Sequence, residues 1–250
     1  DNIDEPMSDI GLIAIHQVAK CAKGRYKVVF SGDGGDELFF GYEPFIKYPF
    51  TSILDKFPKY LVNNFLSLLL LGKDDFGYLG LKYKTRLFLN SHKIEHFKKN
   101  QCWGGSFQID DILELIPSIK DKNILENNIF KKTREIYNKY NYETNLNKLG
   151  LEYFNLFLPE IICAHTDKAN MMESIEARSP FLDNEMIELA METPQKYKVN
   201  IFRGKILLRD SLKKNPNLEF IYKKKKKGYT VPMSKYLCGN NDVSNLLNDK

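Results

Sequence analysis

The chain has 250 residues, 43% hydrophobic and 28% charged, with a formal net charge of +5. That balance is too apolar for a disordered chain, and the length allows one large or two small domains with a sizeable core. Much of the mild positive charge sits in one run, Lys223 to Lys227, so overall charge gives no ground for nucleic-acid binding.

Cys21, Cys102, Cys163 and Cys238 are scattered, with no C-x-x-C spacing and no histidine cluster. This predicts reduced thiols rather than a zinc site or a disulfide framework, and a cytoplasmic location. No stretch reads as a signal peptide. The most apolar segment, Leu61 to Leu71, is interrupted by Asn63, Asn64 and Ser67 and falls short of the roughly 20 residues a membrane span needs. It is expected to be a buried helix. The opening Asp1-Asn2-Ile3-Asp4-Glu5-Pro6 reads as the middle of an acidic loop, so the chain is taken as a piece of a longer protein.

Residues 7 to 24 carry Ile10, Ile13, Ala14 and Val18 on one helical face, with Gly24 as a stop. Tyr26 to Phe30 is β-branched and aromatic, the pattern of a short buried strand. It runs into Ser31-Gly32-Asp33-Gly34-Gly35-Asp36-Glu37 and then a second helical segment. Helix, strand, glycine-rich loop and helix form half of an α/β nucleotide fold. Residues 50 to 160 read as mainly helical scaffold without a chemical motif, with a turn at Trp103. A helical stretch is expected to start at Leu158-Pro159-Glu160 and to continue through Asn170 to Arg178 until Ser179-Pro180 breaks it. Glu176 and Arg178 either form a buried ion pair that positions Pro180 to Asp183 or contact the substrate. Asp183 can cap a helix over Asn184 to Glu192. A further helix covers Lys205 to Lys213, with Leu207, Leu208 and Leu212 inward and Lys205 and Arg209 on one stripe. His165 stands alone and receives no role.

The loop holds the sharpest chemistry. Gly32, Gly34 and Gly35 permit positive φ and close approach to a ligand, and the following helix start offers free N–H groups to an anion. Asp33, Asp36 and Glu37 would repel phosphate unless a metal bridges them, and Mg²⁺ prefers a few carboxylates plus phosphate oxygens and water. The alternative is a tight turn whose acids cap a helix. The spacing does not match a calcium loop.

This segment resembles the asparagine synthetase family, whose members carry S-G-(D/E)-G-(G/S)-D-E-x-F-x-G-Y after a core strand; here Ser31 to Glu37, Phe39, Gly41 and Tyr42 match. Three more segments resemble it in order. They are D-E-P-x-x-D at Asp4, Glu5, Pro6 and Asp9, then Asp167 through Asp183, including Met171, Ser174, Glu176, Arg178 and Pro180. The last is Gly204, Lys205, Leu208 and Arg209 followed by Lys226, Lys227, Gly228, Tyr229, Val231 and Pro232. The resemblance implies an α/β domain of the PP-loop ATP pyrophosphatase (adenine nucleotide alpha hydrolase-like) type, helix-rich, with a few strands of a parallel sheet. It makes residues 1–250 the C-terminal part of the synthetase domain, with the family's S-G-G-x-D-S loop and the N-terminal glutaminase upstream. The chain alone is then expected to be inactive.

The implied activity is a ligase that adenylates a side-chain carboxylate with ATP and Mg²⁺. Aspartate would become asparagine with ammonia from a glutaminase domain. By the same resemblance Asp36 is the metal ligand, Asp33 stands by the reacting centre and Lys226 meets the phosphates and intermediate, supported by Lys227. Ser31, Gly32, Gly34 and Gly35 line the nucleotide and pyrophosphate site. Phe40 for a common glycine, Lys168 for arginine and Glu173 for histidine or asparagine are departures that bear on the acyl substrate. Relatives amidate sugar acids, cyclise β-lactams or close peptide rings. Amidation of a surface-polysaccharide sugar acid is therefore one alternative, and a non-catalytic interaction piece using the lysine patch is another. Neither nucleic acid nor membrane is an expected partner, and a homodimer is compatible with the reading.

Overall fold

The computed structural model describes residues 11–70, 81–104, 107–141, 143–213 and 215–223. Helix α1 (Gly11–Ala22) ends at Gly24, which takes the left-handed φ of 75° expected of a stop. Strand β1 (Val28–Phe30) follows. The single turn α2 (Gly35–Leu38) closes the glycine loop, and α3 (Glu43–Leu54), α4 (Lys59–Leu70) and α5 (Leu81–Ser91) lead into a helical body. That body continues through α6 (Lys99–Gly104), α7 (Ile109–Leu115), α8 (Lys122–Ile129), α9 (Lys131–Lys139) and α10 (Asn145–Glu152).

From α10 the helix runs on without a break, as a widened π-helical stretch over Tyr153–Cys163 and then as α11 (Ala164–Met171). Pro159 therefore lies inside a helix instead of starting one. A proline has no N–H to give to the ladder, and π geometry is the usual way a helix absorbs such a loss. Helix α11 ends earlier than its sequence pattern predicts. Ser174 takes a left-handed φ of 57°, the Ser174 N–H returns to the Met171 carbonyl, and the buried Ile175 reverses the chain. Glu176–Arg178 is then not helix but strand β2, paired in parallel with β1 in the register Val28 to Glu176, Val29 to Ala177 and Phe30 to Arg178.

The pair is only half covered among the described residues. Phe30 is 79% exposed, so the expectation of a fully buried strand fails there: β1 has a hydrogen-bonded neighbour on one side alone. Glu176 and Arg178 do pair, at 2.8 Å, but on the surface, where an ion pair contributes little. Asp183 caps α12 (Asn184–Glu192) by accepting the Glu185 N–H. Helices α13 (Gln195–Lys198), α14 (Ile206–Leu212) and α15 (Glu219–Lys223) complete the described chain. On α14 the buried side chain is Ile206, while Leu207 and Leu208 pack half-buried.

Two hydrophobic clusters meet at Leu38-Phe39-Phe40. Phe40 enters a cluster with Phe45, Tyr48, Trp103, Leu149 and Tyr153, whereas Leu38 and Phe39 enter another with Ala190, Phe181 and Leu208. The segment directly after the loop is thus anchored on both sides. Trp103 belongs to α6 and is buried, not in a turn. Helix α4 buries Val62 and Leu66 at helical spacing but exposes Leu61 and Phe65, so it is one-faced instead of buried all round. Among the described residues no helix is long and apolar enough to cross a membrane, and no disulfide joins Cys21, Cys102 or Cys163.

Candidate active site

Ser31 leaves the carboxyl end of β1, and Ser179 leaves the same end of β2. The Ser31 N–H donates to the Arg178 carbonyl at 2.8 Å, and the Ser179 hydroxyl donates to the Asp33 carbonyl. The glycine loop therefore sits outside the carboxyl edge of a parallel pair, where ligands of open α/β sheets bind. Segment Pro180–Leu182 clamps it from above. A Cβ on Gly34, whose φ is 82°, would lie 2.4 Å from Leu182, and one on Gly35 would lie 3.2 Å from Phe181. These two glycines are buried and are dictated by packing, whereas Gly32 is exposed with open space beside it. Helix α2 is one turn long, so its dipole adds little charge.

The three acids take different directions. Asp33 is fixed by the Ser31 hydroxyl, which donates to Oδ2 at 2.9 Å. Asp36 reaches Lys205, with Nζ to Oδ1 at 3.0 Å. Glu37 turns inward instead of toward a ligand: it is buried, accepts the Tyr42 hydroxyl at 2.7 Å, and burial raises its carboxyl above the usual range. Burial also raises the Cys163 thiol, on the π-helical stretch, and the charges of Asp33 and Glu37 add to that rise.

Behind the loop lies a cavity of about 80 Å³, lined by Glu37, Phe40, Glu143, Asn147, Gly150 and Lys198 among others. Lys198 is 6% exposed with its ammonium 4.9 Å from the Phe40 ring centroid, and burial pulls its pKa down to about 8. Neither Lys198 nor the Lys205–Asp36 pair was expected from sequence. The sole signal was Lys205 within the G-K-x-x-L-R segment. Arg209, its companion on the stripe, instead donates to the Tyr222 carbonyl at 3.4 Å.

Lys226 and Lys227 lie outside the described residues, as do Asp4, Glu5, Pro6 and Asp9. Helix α15, three residues before Lys226, docks onto α14, and Tyr222 accepts a hydrogen bond from Arg203 at 3.1 Å. Among the described residues no group of three or more His, Cys, Asp or Glu side chains forms a cage for a metal ion. Two separate loop carboxylates, Asp33 and Asp36, suit Mg²⁺ carried on phosphate oxygens, which needs few protein ligands.

A parallel strand pair with an acidic glycine loop at its carboxyl edge and helices behind it defines an α/β domain of the PP-loop ATP pyrophosphatase type. The family model described as asparagine synthase matches residues 1–250, and the chain belongs to that family. It is 26% identical over 242 residues to glutamine-hydrolysing asparagine synthetase 1 of Bacillus subtilis (strain 168), covering 94% of this chain and 35% of that protein. It is 28% identical over 245 residues to a putative glutamine-hydrolysing asparagine synthetase of Mycobacterium bovis, covering 94% of this chain and 34% of that protein. The chain thus spans about a third of the length of these curated relatives. No solved structure matches it.

Proposed function

We propose that this chain is the C-terminal part of the synthetase domain of an ATP-dependent ligase that amidates a carboxylate through an acyl-adenylate. The substrate is aspartate, and the nitrogen is ammonia released from glutamine by a separate glutaminase domain. The observation that carries the reading is the family's acidic glycine loop standing at the carboxyl edge of the strand pair, with Asp33 and Asp36 half-buried there while Glu37 alone is fully buried.

A carboxylate resists attack by ammonia until a good leaving group is attached to it. Asp36, with Asp33 nearby in the loop, would hold Mg²⁺, which when bound neutralises phosphate charge and steadies the departing pyrophosphate. Asp33 stands by the reacting centre. Ser31 and exposed Gly32 line the phosphate path, and buried Gly34 and Gly35 shape the loop that carries it. Lys226, with Lys227, supplies the cation that meets the phosphates and the intermediate.

Two of the three departures from the family pattern are explained by packing rather than substrate. Phe40 fills the core, and buried Glu173, in the turn after α11, accepts His16 Nε2 of α1 at 2.8 Å and Lys23 Nζ just past α1 at 2.6 Å. Those two departures therefore give no argument against aspartate. The test is the full-length protein with ATP, Mg²⁺, aspartate and glutamine labelled with ¹⁵N in the side-chain amide. Label in the side-chain amide of asparagine is expected. Consumption of ATP only with a different carboxylate would replace the substrate while keeping the chemistry.

A further inference from the structure

We propose that Lys205 is the positioning residue for the Asp36 carboxylate: it grips the inner oxygen so that the outer one faces a divalent cation. This rests on the reading of Asp36 as the metal-contacting acid. Asp36 Oδ1 is sealed from solvent and lies 3.0 Å from Lys205 Nζ, while the side chain as a whole keeps 22% exposure. The accessible oxygen is therefore Oδ2, and Oδ1 is committed to the ammonium.

The backbone is shaped around this pair. A Cβ on Gly41 would fall 1.8 Å from Asp36 Oδ1 and 2.4 Å from Lys205 Cε, so only glycine leaves room for both. The Gly41 N–H also donates to the Asp36 carbonyl at 2.8 Å. Lys205 takes a left-handed φ of 55°, unusual for a non-glycine residue, and its N–H donates to the Phe39 carbonyl at 3.0 Å. Phe40, the next residue, is itself left-handed at 56°, and a Cβ on Gly204 would lie 1.9 Å from its carbonyl oxygen. Two strained residues held against each other by close backbone contact mark a geometry that the surroundings enforce, and such strain concentrates at functional sites. A carboxylate ligand oriented through its second oxygen binds metal more tightly, and loss of such a partner typically lowers affinity about 10- to 100-fold.

Lys205→Asn tests the proposal, because asparagine tolerates the left-handed conformation while removing the ammonium. The readout is Mn²⁺ affinity of the full-length protein, measured by electron paramagnetic resonance with inorganic pyrophosphate present, beside the melting temperature. Lys205→Asn is expected to weaken Mn²⁺ binding about ten-fold or more, with Lys205→Arg recovering part of it. The Mg²⁺ concentration for half-maximal ATP–pyrophosphate exchange should rise more than the maximal rate falls. Asp36→Asn separates the two claims. If it leaves Mn²⁺ affinity unchanged, the metal reading of Asp36 fails and the proposal with it. If it weakens binding while Lys205→Asn does not, or while the asparagine and arginine variants lose equally, the positioning role alone is overturned.

Discussion

The burial of Glu152 ties stability to pH. It is buried, its Oε2 has no hydrogen-bond partner among the described residues, and Oε1 accepts Asn100 Nδ2 at 2.8 Å. Burial outweighs that bond and raises the carboxyl from 4.5 to about 7. The folded chain therefore disfavours the ionised form. The cost is absent below about pH 4.5, grows between there and pH 7, and is complete above, where it reaches about 3 kcal/mol. Glu152→Gln is expected to stabilise the full-length protein at pH 8 and to make little difference at pH 5, read by denaturant unfolding. An equal gap at both values would show that ionisation is not the cause.

Phe40 shows how a departure from a family pattern is absorbed. Left-handed φ costs a non-glycine residue about 1–2 kcal/mol. The ring recovers this by stacking on Phe45 at 4.5 Å, in space left by Gly150, where a Cβ would lie 2.5 Å from Phe40 Cε1. Phe40→Gly is expected to cost about 2–3 kcal/mol, lost burial exceeding relieved strain. Gly150→Ala alone should cost about 1–3 kcal/mol by overpacking. Together they should cost less than their sum, because the glycine removes the ring that the alanine would strike. Additive unfolding energies would contradict the contact. None of this was legible in sequence, since residues 40 and 150 meet only through the fold.

At the scale of elements, the continuous helix from Asn145 to Met171 is the least expected feature. Proline inside an α-helix costs about 3 kcal/mol. The π stretch already departs from that ladder around Pro159, so Pro159→Ala is expected to raise stability by less than about 1 kcal/mol. A gain near 3 kcal/mol in thermal or denaturant unfolding would mean that the proline strains an ordinary helix. Strand β2 was hidden for a related reason. Glu-Ala-Arg has no strand propensity, and its conformation comes from pairing with β1 after the left-handed Ser174 ends α11. The β1 strand and the caps at Gly24 and Asp183 were readable because each depends on local residue chemistry alone.

At the scale of the whole molecule, the family motifs among the described residues, separated by up to about 170 residues, assemble at one edge. The loop after β1 meets the segment after β2 through Ser179, and the G-K-x-x-L-R segment through Lys205. Sequence reading found each motif because glycine and acid spacings are local, but it could not pair Asp36 with Lys205 or turn Glu37 inward. Those outcomes depend on where α14 packs and on which side of α2 is buried.

The central claim is that the loop carboxylates serve carboxylate activation. Aspartate-dependent exchange of pyrophosphate into ATP by the full-length protein tests it most directly, in the wild type and in Asp36→Asn. The wild type is expected to exchange only with aspartate present, and the variant, still folded, to lose about a hundred-fold or more in rate. Aspartate-dependent exchange that survives unchanged in Asp36→Asn would reduce the loop to a structural turn, and its complete absence from the wild type would contradict activation of aspartate altogether.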